Sequence, residues 1–173
     1  FVDASDRHAA MVTTDGVVYT WGEGGPELGQ GDDRPRERPR ELLMLSGQKC
    51  VQVSCARSST LFLMADGSVW ATGKGPHLGL GPCSGGVGTH FPLHVTQLAS
   101  KRVTLMSAGA EHVLLVTDKH NVFAMGSNEH GQLGLSAAGG GGGVMQQLNH
   151  SSSGAAAAAA TPRPEGGGAG RGK

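Results

Sequence analysis

The 173-residue chain contains no isoleucine, and its aromatic complement is four Phe, two Trp and one Tyr. Arginine outnumbers lysine and Ala and Gly abound, a bias that speaks of the gene's base composition rather than of a fold. There is no excess of charge: 14 basic side chains meet 14 acidic ones. That balance argues against a binder of nucleic acid or membrane surface driven by charge alone. No stretch approaches the roughly 18 consecutive apolar residues of a membrane helix. Cysteine is scarce and odd in number, Cys50, Cys55 and Cys83, so there is no disulfide framework. The glycines follow no three-residue period, which excludes collagen. Together these absences predict an intracellular protein, nuclear or cytoplasmic.

Motifs of catalysis and ligand binding are missing as well. Neither G-x-x-x-x-G-K-[ST] nor G-x-G-x-x-G occurs, so no nucleotide cofactor is expected. No Gly-x-Ser-x-Gly elbow is present, and no carboxylate pair stands apart from the turn aspartates. His90 and His94 are four apart, but Pro92 between them is incompatible with a zinc-binding helix. Cys50 and Cys55 have no second pair downstream and read as small apolar groups of a buried strand. The expectation is no metal, no cofactor, no catalytic residue and no small-molecule substrate.

What the chain does have is glycine and repetition. Thirty glycines stand where average usage of about 7% predicts roughly twelve. Length alone suggests one domain, but composition divides the chain near residue 136. Residues 136–173 hold a five-glycine run, a six-alanine run and, as bulky apolar residues, only Val144, Met145 and Leu148. Too little surface could be buried there to offset chain entropy, so 136–173 is expected to be a disordered tail or linker. Its net charge of +2 leaves −2 on residues 1–135.

Within 1–135 three segments align without gaps. They are His8-Ala-Ala-Met-Val-Thr-Thr-Asp15-Gly16-Val-Val-Tyr-Thr-Trp21-Gly22, Ser59-Thr-Leu-Phe-Leu-Met-Ala-Asp66-Gly67-Ser-Val-Trp-Ala-Thr72-Gly73 and His112-Val-Leu-Leu-Val-Thr-Asp-Lys119-His120-Asn-Val-Phe-Ala-Met125-Gly126. A glycine-rich loop follows each and closes on a Leu-Gly pair: Leu28-Gly29, Leu78-Gly79 and Leu133-Gly134. Units of about 1–31, 51–81 and 103–135 result, with connecting strands between them. Asp15-Gly16 and Asp66-Gly67 between apolar runs are hairpin signals, because both central residues of that turn need positive φ. Val51, Val53 and Cys55 alternate as a half-buried strand does. Extended pieces at Pro39–Leu45 and Phe91–Leu98 bring the count to about four strands per unit. Repeated four-stranded units of this length predict an all-β fold of propeller blades.

Gly126-Ser-Asn128-Glu-His-Gly131-Gln132-Leu133-Gly134-Leu135 resembles the signature of the regulator of chromosome condensation repeat, and the three units resemble its whole pattern. The resemblance implies a seven-bladed β-propeller, of which this chain carries about three blades. Phe1 is not an initiator methionine and the chain opens inside a repeat. The expectation is a piece of a longer chain, with self-association to complete a ring as the alternative. The loops at Gly22–Leu28 and Gly73–Leu78 depart from the family pattern and are expected at the surface.

The resemblance implies a protein–protein interaction or regulatory module. One alternative is a guanine nucleotide exchange factor for a Ran-type small GTPase; another is the regulatory propeller of a larger ubiquitin ligase or kinase. Chromatin enters as a partner only through the resemblance. Gly22, Gly73 and Gly126 are expected where the backbone turns sharply or another strand packs closely. His8 and His112, at one repeat position, are expected to form hydrogen bonds between blades. The charge-dense Asp32–Glu41 reads as a solvated inter-strand loop whose Arg34, Arg36, Arg38 and Arg40 are candidates for gripping an acidic partner.

Overall fold

The computed structural model describes residues 1–75, 88–135 and 145–148. Twelve strands form three four-stranded antiparallel sheets, each in simple sequential order. The first sheet holds β1 (Val2–Ala4), β2 (His8–Val12), β3 (Val18–Gly22) and β4 (Arg36–Glu41). The second holds β5 (Cys50–Cys55), β6 (Ser59–Met64), β7 (Val69–Gly73) and β8 (Thr89–His94). The third holds β9 (Val103–Ala108), β10 (His112–Thr117), β11 (Val122–Gly126) and β12 (Gln146–Leu148).

The sheets stack face to face, and strand patterning records their places in the stack. Residues alternate faces along a strand. In β2 the buried positions are His8, Ala10 and Val12, which look toward the second sheet. In β6 all six residues are buried, because Phe62 and Met64 pack against the first sheet while Leu61 and Leu63 pack against the third. In β10 the alternation returns with Val113, Leu115 and Thr117 buried. The middle sheet thus reads as a continuous apolar run for the reason a buried parallel strand does. Leu61, Phe62 and Leu63 are 0, 0 and 2% exposed, and each contributes about 2 kcal/mol of burial.

The innermost strands β1, β5 and β9 are tied by side chains that accept amides across the gap. Asp3 Oδ2 accepts from Cys55 N at 2.8 Å and from the Ser54 hydroxyl at 3.1 Å. One blade on, Ser54 Oγ accepts from Ala108 N at 2.9 Å. Gln52 clasps the Met106 backbone, its amide donating to Met106 O at 2.5 Å and its carbonyl accepting Met106 N at 3.2 Å. On one face the connecting chain threads between successive hairpin turns: Cys50 N donates to Gly16 O, and Ala65 N to Lys49 O. The same pair recurs as Val103 N to Gly67 O and Asp118 N to Arg102 O.

Several expectations need correction. Arg36–Glu41 is a strand, not a solvated loop; as an outer edge strand it needs no apolar alternation, only backbone pairing to Tyr19, Thr20 and Gly22. The extended pieces end earlier than expected, because Leu43–Leu45 and Thr96–Leu98 turn into single 3₁₀ turns that bury Leu45 and Leu98. The third sheet reaches past residue 135: Gln146–Leu148, within the stretch expected to be a tail, pairs with Val122–Ala124, and Met145 packs on the core. The rest of that stretch lies outside the described residues. In the third hairpin the positive-φ residue is His120, at 59°.

Candidate interaction surface

Gly22, Gly73 and Gly126 occupy one register position, opposite His8, Ser59 and His112. Their φ angles are 130°, 114° and 110°. A Cβ on Gly22 would strike Arg7 O and His8 Cα, and one on Gly73 would strike Ser58 O and Ser59 Cα. The next residue's amide then bonds back across the hairpin: Glu23 N to Arg7 O, Lys74 N to Ser58 O and Ser127 N to Glu111 O. These glycines end the strand and hand the chain to the loop.

The first loop is not at the surface. Its 3₁₀ turn, Pro26–Leu28, is buried as a wedge between the first two blades, with Leu28 fully covered and Gly29 (φ 69°) closing it. Three hydroxyls hold it from both sides: Thr20 donates to Leu28 O at 2.8 Å, Thr60 to Glu27 O at 2.7 Å and Thr72 to Pro26 O at 2.8 Å. The sequence, which suggests a surface loop here, carries no repeated mark of this burial: in the gapless alignment Thr20 falls on Ala71 and Thr72 on Trp21. In the third unit Asn128 does the equivalent work within its own loop, accepting Leu133 N and donating to Leu135 O. Leu133 is buried and Gly134 is exposed at φ 68°. Leu78 and Gly79 lie outside the described residues.

His8 is 3% exposed, with Nε2 at 2.8 Å from Thr60 Oγ1 and Nδ1 at 2.9 Å from Ser5 Oγ. Since the Thr60 hydroxyl donates to Glu27 O, it must accept from Nε2–H, which fixes the neutral tautomer. Burial pushes the imidazole pKa down to about 4, against the pull of Asp6 and Asp3. His112 is half-buried, with its ring against Gly109. Cys50 and Cys55 are buried free thiols, pushed up to about 11 and about 12 by desolvation. His90 bonds Asp33 at 2.8 Å and His94 stands edge-on to Trp70 at 5.7 Å. Among the described residues no group of three or more His, Cys, Asp or Glu could hold a metal. Of these, His8 and His90 link successive blades, His8 through Thr60 and His90 through Asp33.

Exposed chemistry lies elsewhere. Two open clefts recur on the hairpin face, one of about 290 Å³ between Asp15, Leu42, Leu45 and Lys49, the other of about 390 Å³ between Asp66, His94, Leu98 and Arg102. On the opposite face lie two exposed ion pairs, Arg7–Glu23 and Arg57–Glu111. The four candidate arginines divide. Arg36 is not available to a partner: its side chain is 9% exposed and bonded to both oxygens of Asp32 at 2.8 and 3.0 Å. The Arg34 amide, and after it the Arg36 side chain, hold the Asp32 carboxyl below its usual range. Arg34, Arg38 and Arg40 are exposed on the rim.

The model of the Regulator of chromosome condensation (RCC1) repeat matches residues 15–63 and 66–116, and a second model of the same repeat matches 103–132. The chain belongs to this family. The matches at 15–63 and 66–116 each span the outer half of one sheet and the inner half of the next, so the chain staples neighbouring blades together. Human E3 ubiquitin-protein ligase HERC2 is 36% identical over 75% of this chain, mouse Protein RCC2 35% over 73%, and Xenopus laevis serine/threonine-protein kinase Nek9 31% over 79%. The chain spans only 3%, 24% and 15% of those three proteins. Among solved structures, human WBSCR16 superposes with a TM-score of 0.76 at 22% identity, covering 86% of this chain and 37% of that one. Saccharomyces cerevisiae Prp20p, whose structure was described with its binding to Gsp1p and histones, gives 0.75 at 15% identity over 87% and 38%. The fold is that of RCC1-type propeller blades.

Proposed function

We propose that this chain is a protein–protein interaction and regulatory module of the propeller type. The observation that carries the reading is the division of labour in the blades. Polar groups of the interior such as His8, Thr60, Gln52 and Ser54 are spent on joints between blades, and Arg34, Arg38 and Arg40 stand exposed on the rim. A rigid scaffold with its free chemistry outside is suited to binding a macromolecule.

Two more specific readings belong to the whole protein. In one the blades form the regulatory propeller of a ubiquitin ligase or kinase, which similarity to segments of HERC2 and Nek9 favours. In the other they belong to an exchange factor for a Ran-type GTPase, supported by the shared fold with Prp20p. Exchange needs no acid or base, only preferential binding of the nucleotide-free state. Release of fluorescent GDP from Ran, measured with the intact protein, separates them. Acceleration establishes the exchange reading; release at the uncatalysed rate leaves the regulatory one.

A further inference from the structure

We propose that the hairpin-face cleft of the second blade binds the phosphoryl group of a phosphorylated segment of a partner protein. This deepens the interaction-module reading and rests on it. The connection from β8 to β9 folds beside the β6–β7 turn, and Asp66, His94, Leu98, Ser100, Lys101 and Arg102 line a cleft of about 390 Å³. Three of its polar groups are held in place from outside it. The Lys101 ammonium lies 4.9 Å over the centroid of the Phe123 ring. The Arg102 stem lies against Gly67, and His94 stands edge-on to Trp70. The one carboxylate of the cleft is bonded within its own turn: Asp66 Oδ1 accepts Ser68 N at 2.8 Å and the Ser68 hydroxyl at 2.7 Å. Among the described residues neither Lys101 nor Arg102 is in an ion pair, and Ser100 is exposed beside them.

The first blade supplies the comparison, because its cleft of about 290 Å³ is built from the same positions. Asp15 aligns with Asp66, and Glu41 pairs with Tyr19 as His94 pairs with Trp70. Gln48 N donates to Leu45 O as Lys101 N does to Leu98 O, and Lys49 O and Arg102 O each accept an amide of the next hairpin. From the first cleft to the second, His94 thus stands for Glu41, Lys101 for Gln48 and Arg102 for Lys49. The linings differ in sign: Asp15, Glu41 and Lys49 sum to −1, whereas Asp66, Lys101 and Arg102 sum to +1 with His94 neutral. The neighbouring hairpins do not cancel this. Asp66 follows Ala65 beside Lys49 and takes the first cleft to −2, while Asp118 and Lys119 beside Arg102 offset each other. One fold accepts either sign, so the cations are not needed to build the blade. Two cations, an imidazole and a hydroxyl around one cleft suit a tetrahedral oxyanion, and a phosphorylated side chain carries about −1.5 to −2 near neutral pH. A nucleic-acid backbone would need a continuous basic stripe, and here one cationic cleft stands beside an acidic one.

The test uses the intact protein and four probes at matched ionic strength: inorganic phosphate, acetate, a degenerate peptide pool with one fixed phosphoserine, and the same pool with serine. Hydrogen exchange locates binding, and fluorescence anisotropy of the labelled pools measures it. Phosphate and the phosphoserine pool are expected to slow exchange over residues 94–102 and not over 41–49. The phosphoserine pool should bind about tenfold or more tighter than the serine pool. H94E/K101Q gives the second cleft residues that the first already carries, and it should remove that preference while keeping the parent's thermal unfolding. K101Q alone replaces it if the double variant unfolds early. Equal binding of the two pools, a preference that survives the variant, or protection confined to 41–49 overturns the proposal. Acetate acting as well as phosphate overturns the phosphoryl class, and protection by inorganic phosphate without preference between the pools overturns the partner as its source. The broader reading fails separately, only if the intact protein engages no protein partner through any face.

Discussion

The imidazole of His8 and the hydroxyl of Thr60, 52 residues apart, meet at 2.8 Å inside the joint between the first two blades. Through them the chain His8 to Thr60 to Glu27 connects a strand of one blade, a strand of the next and the loop wedged between them. Thr60→Val removes the centre of that chain and leaves a buried N–H unpaired. A loss of about 2–3 kcal/mol in chemical unfolding is expected. A double-mutant cycle with His8→Gln should show coupling of at least about 0.5 kcal/mol. Additive effects would mean the two residues act separately.

The same histidine sets an acid sensitivity. In the unfolded chain it takes up a proton near pH 6.5, and in the folded protein only near 4. Between those values the unfolded state holds more protons, so stability falls as pH drops through that window and is intact above it. The loss is on the order of 3 kcal/mol at most. Denaturant midpoints at pH 7.5 and pH 4.5 should differ in the parent protein and converge in His8→Gln.

Glycine positions should separate into two kinds. At Gly73 an alanine meets both a φ of 114° and the Ser59 backbone, and a cost of roughly 2–4 kcal/mol is expected. At Gly47 φ is 82° but nothing lies within 4 Å, so alanine should cost about 1 kcal/mol from backbone strain alone. Thermal unfolding of Gly73→Ala and Gly47→Ala checks the order.

Cys50 and Cys55, buried with raised pKa values, should resist alkylation in the native protein and react once it is unfolded. Peptide mapping after brief maleimide treatment at pH 7.5, with and without denaturant, measures this. Rapid native labelling of either peptide would contradict the burial.

Strands and hairpins were legible because they obey local rules. The Asp-Gly pairs demanded turns, and the aligned apolar runs demanded strands of equal length. What escaped was imposed by neighbours. Pro26–Leu28 carries one apolar residue beside a proline and a glutamate, and nothing local says that a second blade will cover it. Arg36–Glu41 looks like a solvated charge run because an outer strand is held by its backbone and needs no buried side chain. Gln146–Leu148 is three residues amid glycine and glutamine, recognisable only once β11 offers a free edge. The arginines were visible as a group, but only the fold separates Arg36, spent on Asp32, from the three that remain free.

The central claim is that neighbouring repeats form one continuous stack, locked by side chains that cross between blades. Hydrogen exchange of the intact protein carrying Leu28→Ala tests it most directly. Leu28 belongs to the first unit, but its side chain fills the joint with the second. The account predicts faster exchange in residues 59–64 and 69–73 of the second blade as well as in 18–31, consistent with a cavity costing about 2–5 kcal/mol. Faster exchange confined to residues 22–31 would mean the wedge is a surface loop and the blades stand independently.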